Sequence, residues 1–213
     1  MLIRLAFAGL FAFAACYGQA PRPKPEMVVM RGGRFAPLTW AEMDAAQRKL
    51  VEQALSEPVA SVNGPYNALL RSPEMGLLAH NWGGYVRFRS SVPTKLNELA
   101  IMMAAQFWKS EFVWSAHRRA AVQAGLKEEV AVAIAQGKRP AEMQPDEEAV
   151  YNFSNELLTT RMVNDSTFAA VKKLVGDKGV MDLTAAIGYF AFASMAANVD
   201  QFPLPDNVKP ELK

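Results

Sequence analysis

The residues best suited to chemistry lie in one stretch, Glu98 to Leu126, which holds one of only two histidines in the chain. Glu98 stands among apolar residues, and a carboxylate that is buried in such surroundings needs a partner. His117 follows nineteen residues later. A carboxylate and an imidazole carried on packed helices can move a proton to and from a bound molecule. The stretch therefore indicates a proton-transfer site.

The spacing around the histidine places it on one face of a helix. Four residues stand at offsets of zero, three, four and seven: Ser110, Val113, Trp114 and His117. At about 100° per residue they form a single stripe, apolar with two polar groups, as in the wall of a pocket. Glu98 lies on the preceding helix and meets His117 only if the two helices pack face to face. The alternative is a Glu–His or Glu–Arg pair that only holds two helices together.

Composition and charge exclude several classes of protein. The 213 residues are half apolar and carry a net charge of +2, which gives no electrostatic reason to expect nucleic acid. Two histidines and one cysteine argue against a zinc or iron site built from protein ligands alone, because such sites need three or four. No glycine-rich phosphate loop is present. We expect neither a metal nor a nucleic-acid partner.

The first twenty residues differ from the rest and have the pattern of a signal peptide. A positive charge precedes a short apolar run from Leu5 to Cys16. Two endings are open: cleavage after Gly18-Gln19-Ala20, or a lipoprotein-type ending with a lipid on Cys16. Either predicts export, to the periplasm or the medium, with any membrane contact made through that lipid. The alternative is an uncleaved N-terminal anchor. Residues 21–38, rich in proline and without a clear period, are expected to form an irregular leader.

The remaining chain predicts an all-α domain of seven or eight helices over residues 39–202, with a tail at 203–213. No segment alternates with the period of a strand, and caps, prolines and glycines divide the helical patterns. Gly83-Gly84 inside one helix indicates a kink, a close helix contact or a nearby ligand. The last helix is apolar on nearly every face and should be buried or form an interface. The expected helices run from Trp40 to Ser56, Pro73 to about Phe88, through the central pair, from Lys127 to Gly137, Pro145 to Thr160, about Asp165 to Val175, and Val180 to Asn198, with a turn at Gly176–Gly179. A further short helix from Tyr66 to Leu70 stays open.

Residues 74–137 resemble the carboxymuconolactone decarboxylase family, which includes the alkylhydroperoxidase D proteins. The peroxidase branch of that family carries Glu-x11-Cys-x2-Cys-x3-His. Counted from Glu98, the two cysteine positions hold Ser110 and Val113, and the histidine position holds His117. The outer residues match and both thiols are absent. A thiol peroxidase needs one thiolate to attack and another to resolve the sulfenic acid, so the sequence argues against that activity.

The resemblance then implies the decarboxylase branch, whose members work without metal or organic cofactor. It implies a lyase or isomerase acting on a small cyclic carboxylic acid or lactone, with His117 as general acid and base and Glu98 orienting it. Arg89 is the candidate for holding a carboxylate, and Ser110 for donating a hydrogen bond. Tyr85, Val113 and Trp114 are candidates for the apolar wall.

Two other functions stay open at the level of sequence. One is a binding or structural protein of the cell envelope that keeps the scaffold without chemistry. The other, less favoured, is a peroxidase that uses a different reductant. The resemblance also implies a homo-oligomer, often a trimer or hexamer in this family.

Overall fold

Helices account for all regular secondary structure in the residues that this computed structural model describes, which are 23–56, 62 and 64–213. The prediction of an all-α fold with seven or eight helices is confirmed. The expected signal segment, with Cys16 and Ala20, lies outside the described residues. Two short 3₁₀ turns, Pro25–Met27 and Trp40–Glu42, come before eight α-helices: α1 (Ala45–Ser56), α2 (Tyr66–Leu69), α3 (Pro73–Phe88), α4 (Thr94–Phe107), α5 (Glu111–Gln123), α6 (Glu128–Ala135), α7 (Pro145–Thr160) and α8 (Asp165–Asp200).

Capping residues set several of the helix boundaries. Pro73 and Pro145 occupy the first turns of α3 and α7, where a missing N–H costs nothing. Asn164 accepts a hydrogen bond from the Thr167 N–H at 2.9 Å and so caps α8. Gly125 and Gly137, with φ of 101° and 70°, end α5 and α6 in a backbone conformation that suits glycine.

The first predicted helix is two elements rather than one. The capping box between Thr39 and Glu42 is present, but it closes only the 3₁₀ turn, with Thr39 N donating to Glu42 Oε2 at 2.8 Å. A second reciprocal pair follows, in which Asp44 N donates to Gln47 Oε1 at 2.9 Å and Gln47 N donates to Asp44 Oδ1 at 2.8 Å. This second cap starts α1 at Ala45.

The predicted turn at Gly176–Gly179 is a kink inside one long helix. Only Gly176 leaves helical geometry, with φ of 71° and ψ of 177°, and the helix resumes at the next residue. The part of α8 after the kink is long and apolar enough to cross a membrane by length and composition, but half of its most apolar window is buried in the domain. Within this chain it is a core helix.

The hydrophobic core surrounds α4, which is buried on every side. Residues 96–105 of α4 are all buried, and α5, α7 and α8 pack around them. A helix that is apolar all round needs such an environment. A smaller cluster joins α1 to α2 and α3 through Leu50, Val51, Leu69 and Leu70.

Residues 33–38, in the predicted leader, are fixed to the domain. The N–H groups of Gly33 and Phe35 donate to Asp200 Oδ1 at 3.3 and 2.8 Å. Asn67 accepts from the Leu38 N–H at 3.2 Å and donates to the Phe35 carbonyl at 2.8 Å. Two buried polar side chains therefore satisfy backbone groups that form no helix.

The glycine pair in α3 marks a close helix contact at its first member. A Cβ added to Gly83 would lie 2.3 Å from Tyr189 Oη and 2.4 Å from Tyr189 Cζ. A Cβ added to Gly84 would meet nothing within 4 Å. Gly83 therefore admits the ring of a residue on α8, whereas Gly84 has no such role.

We predict opposite effects for alanine at these two neighbouring positions. Gly84→Ala should raise the free energy of unfolding by about 0.5–1 kcal/mol, because alanine favours a helix over glycine. Gly83→Ala should lower it by about 1–3 kcal/mol, because the new methyl displaces the Tyr189 ring. Urea unfolding of both variants measures the difference. Equal shifts of the same sign would contradict the contact at Gly83.

Candidate active site

Glu98 and His117 form a buried hydrogen-bonded pair between α4 and α5. Glu98 Oε2 lies 2.6 Å from His117 Nδ1, and each residue is 8% exposed. The pair forms because α4 and α5 pack face to face, which was the condition for these two residues to meet. The ring edge of Phe190 on α8 lies against the imidazole, with centroids 4.4 Å apart and planes at 71°.

The geometry leaves the second ring nitrogen of His117 available. Within the described ranges no hydrogen bond reaches Nε2. A carboxylate that holds Nδ1 fixes the orientation of the ring, and Nε2 is then the nitrogen that can give or take a proton. The pair can therefore act on an acidic C–H or an enolate that reaches that nitrogen.

The rest of the predicted stripe is buried beside the pair. Val113 packs in the main hydrophobic core, and Ser110 sits at the start of α5. Trp114 has no exposed surface, and its indole Nε1 donates to Glu211 Oε2 at 3.2 Å. In this chain Trp114 is a core residue tied to the C-terminal segment. Its role in a pocket wall stays a prediction.

The segment 203–213 binds along α5 rather than hanging free. Glu111 accepts hydrogen bonds from the backbone N–H groups of Glu211 and Leu212 at 2.8–3.1 Å. Glu211 also forms an ion pair with Arg118, its Oε2 lying 3.1 Å from Arg118 Nε. The sequence interpretation missed Glu211, since a short polar segment with three prolines carries no periodic signal. The segment buries the outer edge of the helix that bears His117.

Tyr85 and Arg89 lie in a different cluster, built around the buried carboxylate of Asp182. Asp182 accepts hydrogen bonds from Tyr85 Oη at 2.8 Å, from Ser91 N and Oγ at 2.7 Å, and from Lys178 Nζ at 2.5 Å. The Arg89 guanidinium lies over the Tyr85 ring, 5.4 Å from its centroid. Asp182 precedes Phe190 by eight residues, or about 12 Å along the helix. The structure therefore does not bring Tyr85 and Arg89 to the Glu98–His117 pair, and their substrate-binding roles stay predictions.

This cluster should make stability depend on pH. Burial raises the pKa of Asp182, but hydrogen bonds from Lys178, Ser91 and Tyr85 outweigh it and hold the pKa well below its ordinary value. A carboxyl with a depressed folded-state pKa stabilises the fold above about pH 4 and loses that contribution as the pH falls further. Asp182→Asn should therefore cost about 2 kcal/mol at pH 7 and much less near pH 2.

Urea unfolding at both pH values measures that convergence. Asp177→Asn is the matched control, since Asp177 lies on the same helix with its side chain 78% exposed. A constant gap between wild type and Asp182→Asn across the pH range would contradict the assignment.

A cavity of about 360 Å³ lies at the start of α5, and Ser110 lines it. Neither Glu98 nor His117 does. In the part of the chain that the structure describes, no three His, Cys, Asp or Glu side chains gather as metal ligands. The candidate site therefore consists of the Glu98–His117 pair and, one to two helical turns from His117 towards the start of α5, a separate cavity.

Comparison with known proteins supports the fold. No family model matches the sequence, and no curated protein is similar to it. Among solved structures, the fold is similar to that of an Agrobacterium tumefaciens protein of unknown function, described as a candidate antioxidant defence protein AhpD. The match has a TM-score of 0.56 at 17% identity and covers 65% of this chain and 97% of that one. The likeness shows an AhpD-like fold, as the sequence predicted. The narrower resemblance to the decarboxylases stays a prediction.

Proposed function

We propose that this chain of AhpD-like fold is a cofactor-free lyase or isomerase acting on a small cyclic carboxylic acid or lactone. His117 is the general acid and base, and Glu98 orients it. The observation that carries the proposal is the 2.6 Å hydrogen bond between Glu98 and His117 Nδ1, which leaves Nε2 unbonded within the described residues. An acid–base pair on rigid, packed helices is held ready for proton transfer.

The proposed chemistry needs no external electron sink. In a cyclic acid with a conjugated carbonyl, the bond to the carboxylate breaks, carbon dioxide leaves, and the electron pair passes into a dienolate. The protonated His117 then delivers its Nε2 proton to carbon and recovers a proton from solvent. In an isomerisation the same nitrogen removes a proton from one carbon and returns it to another. Glu98 stabilises the imidazolium in either case.

Thiol peroxidase chemistry has no nucleophile at this site. Ser110 and Val113 occupy the positions where that mechanism places its two thiols. The single cysteine of the chain, Cys16, belongs to the segment outside the described residues. A hydroperoxide assay with a dithiol present should accordingly show no consumption above the buffer rate.

The test is a panel of cyclic carboxylic acids and lactones incubated with the purified protein in D₂O. Ultraviolet absorbance follows loss of conjugation, and proton NMR follows exchange at carbon. We expect protein-dependent exchange or turnover for at least one conjugated acid. The other histidine provides the control, since His80 lies on α3 and its Nδ1 is 2.7 Å from Tyr66 Oη. His80→Gln should keep the activity.

One observation favours the second candidate, a non-catalytic binding or structural protein. The cavity at the start of α5 is not lined by the Glu98–His117 pair. If the pair only holds α4 against α5, its removal should lower the free energy of unfolding and leave the rate of carbon-proton exchange unchanged. Unfolding and exchange measured on the same Glu98→Gln protein separate the two functions, because only the enzymatic role predicts that exchange falls.

The place of action is part of the proposal. We propose export through residues 1–20, to the periplasm or the medium, with lipid attachment at Cys16 as the alternative ending. Mass spectrometry of the protein recovered from its native envelope distinguishes an N-terminus at Pro21 from a lipid-modified Cys16.

We also propose that the chain self-associates through the outer face of α8. Six positions on this face follow the 4-3-4-3-4 spacing of a helix–helix seam: Met181, Ala185, Gly188, Phe192, Met195 and Val199. Met181, Met195 and Val199 are 64%, 38% and 57% exposed, and the only charge in 179–199, Asp182, is buried. Trp82 of α3 packs on Gly188 and extends the apolar surface.

A second copy is the occupant that this pattern fits. The seam from Met181 to Val199 is about 27 Å long. An identical seam packed against it would bury the exposed apolar side chains of this face of α8. Met181→Glu with Met195→Glu should convert the oligomer to a monomer in light scattering. Met162→Glu is the control, because Met162 is exposed and lies between α7 and α8, outside the seam. A wild-type protein that stays monomeric at high concentration would exclude the seam.

A further inference from the structure

The cavity at the start of α5 is a second place where chemistry could occur. Its walls come from residues 109–112, where α5 begins, and from Ala197, Asn198, Gln201 and Phe202, where α8 ends. Its volume of about 360 Å³ falls in the range of small-molecule sites. Because Glu98 and His117 do not line it, its use is a separate question from proton transfer.

Ser110 lines this cavity, and its buried hydroxyl is unused. The residue is the N-cap of α5, where serine ordinarily accepts a hydrogen bond from the first turn, yet its side chain makes no capping bond. Ser110 is 1% exposed, and its Oγ has no hydrogen-bond partner. Buried polar side chains are rarely left in this state, so the hydroxyl is available for a ligand.

The first turn of α5 adds backbone donors at the same point. The N–H of Trp114 donates to the Ser110 carbonyl, but across the described chain no hydrogen bond comes from the N–H groups of Phe112 or Val113. These groups carry the positive end of the helix dipole. A helix N-terminus with free N–H groups binds anions. Here the helix N-terminus begins at Ser110, whose buried hydroxyl also lacks a hydrogen-bond partner.

The charged side chains nearby are directed to the C-terminal segment. The Glu111 carboxylate accepts the N–H groups of Glu211 and Leu212, and the Lys109 ammonium donates to the Lys213 carbonyl. Glu111 and Lys109 have opposite charges, and both are engaged with the C-terminal segment. The positive end of the helix dipole is the feature of this wall that favours an anion.

Two aromatic rings, one from each wall, suit an apolar body. The rings of Phe112 and Phe202 meet edge to face with centroids 4.5 Å apart, and both residues line the cavity. Aromatic edges of this kind pack against a ring or a short hydrocarbon chain.

We propose that this cavity binds a small oxyanion, a carboxylate or a phosphate group, held by the Ser110 hydroxyl and the backbone N–H group of Phe112. The proposal does not depend on the function of Glu98 and His117. It holds equally for a catalyst and for a binding protein.

The test is a titration of the full-length ¹⁵N-labelled protein at constant ionic strength, with benzoate in one arm and inorganic phosphate in the other. We expect a saturable shift of the Phe112 amide signal. Ser110→Ala should weaken binding about tenfold, since one hydrogen bond to a charged group is lost. Ser154→Ala is the matched control, because Ser154 is equally buried, also lacks a partner and lies on α7, away from the cavity.

Each outcome decides the proposal. Saturation by benzoate supports a carboxylate ligand, and saturation by phosphate alone supports a phosphate ligand. Shifts that rise linearly in both arms, or equal affinity in Ser110→Ala and wild type, would overturn the site. The wild-type amide shifts decide the question even if Ser110→Ala does not fold. His117→Ala should bind the same anion unchanged, so this site and the proton-transfer site fail independently.

Discussion

His117→Ala should lower the rate of turnover or carbon-proton exchange by about 10²- to 10⁴-fold on the acid that the wild-type protein accepts. That range is the usual contribution of a positioned general acid or base. Glu98→Gln should cause a similar loss although it keeps the size of the side chain. An amide in place of the carboxylate cannot stabilise the imidazolium, and it can hold the ring in the wrong tautomer. Exchange at carbon in D₂O measures both variants.

Two controls separate chemistry from folding in this experiment. His80→Gln removes the only other histidine of the chain and should retain the rate. Urea unfolding of Glu98→Gln reports whether the α4–α5 contact survives. A His117→Ala protein with full turnover on the accepted acid would remove the mechanism, whatever its stability.

The helix boundaries could be predicted because they depend on the chemistry of a few neighbouring residues. Proline at the first turn of α3 and α7, asparagine at the cap of α8, and glycine after α5 and α6 act over a few residues and need no tertiary partner. Where two local signals competed, the prediction was wrong by a few residues. The Asp44–Gln47 cap superseded Thr39–Glu42 as the start of α1.

The Glu98–His117 pairing could be predicted for a different reason. Two residues nineteen apart on consecutive helices have no local interaction, and it was the resemblance in spacing that joined them. The structure then supplied the contact of 2.6 Å and the edge of Phe190, which no pattern in the sequence specifies. Contacts across elements depend on packing angles that periodicity does not contain.

Two long-range features escaped the sequence because their residues look ordinary. Asp182 is a single acidic residue in an apolar helix, and only the fold shows that it gathers Tyr85, Ser91 and Lys178. Glu211 belongs to a short polar segment, and only the fold shows that it reaches Trp114. Asp182 is a buried charge and Glu211 an exposed one, but the partners of both are set by packing between distant elements, which the sequence does not specify.

Lys95→Met should lower the free energy of unfolding by about 3 kcal/mol. Lys95 Nζ lies 2.8 Å from Glu147 Oε1 and 3.1 Å from Asp146 Oδ2, and it joins the first turns of α4 and α7. Burial lowers the pKa of Lys95, but hydrogen bonds to these two carboxylates raise it above its ordinary value, so it stays charged. Methionine keeps the stem and leaves the buried Glu147 carboxylate without its cation, which is the costly way to break such a pair. Urea unfolding at pH 7 gives the loss.

The second half of this experiment distinguishes a buried charge from a lost contact. Adding Glu147→Gln to Lys95→Met removes the stranded charge and should recover part of the stability, since a neutral amide costs less to bury than a carboxylate. Lys172→Met breaks an exposed ion pair with Asp177 of similar length, 2.7 Å, and should leave stability unchanged. If the double variant is as unstable as the sum of its single variants, the methionine has damaged packing between α4 and α7. The charge on Glu147 is then not what makes Lys95 necessary.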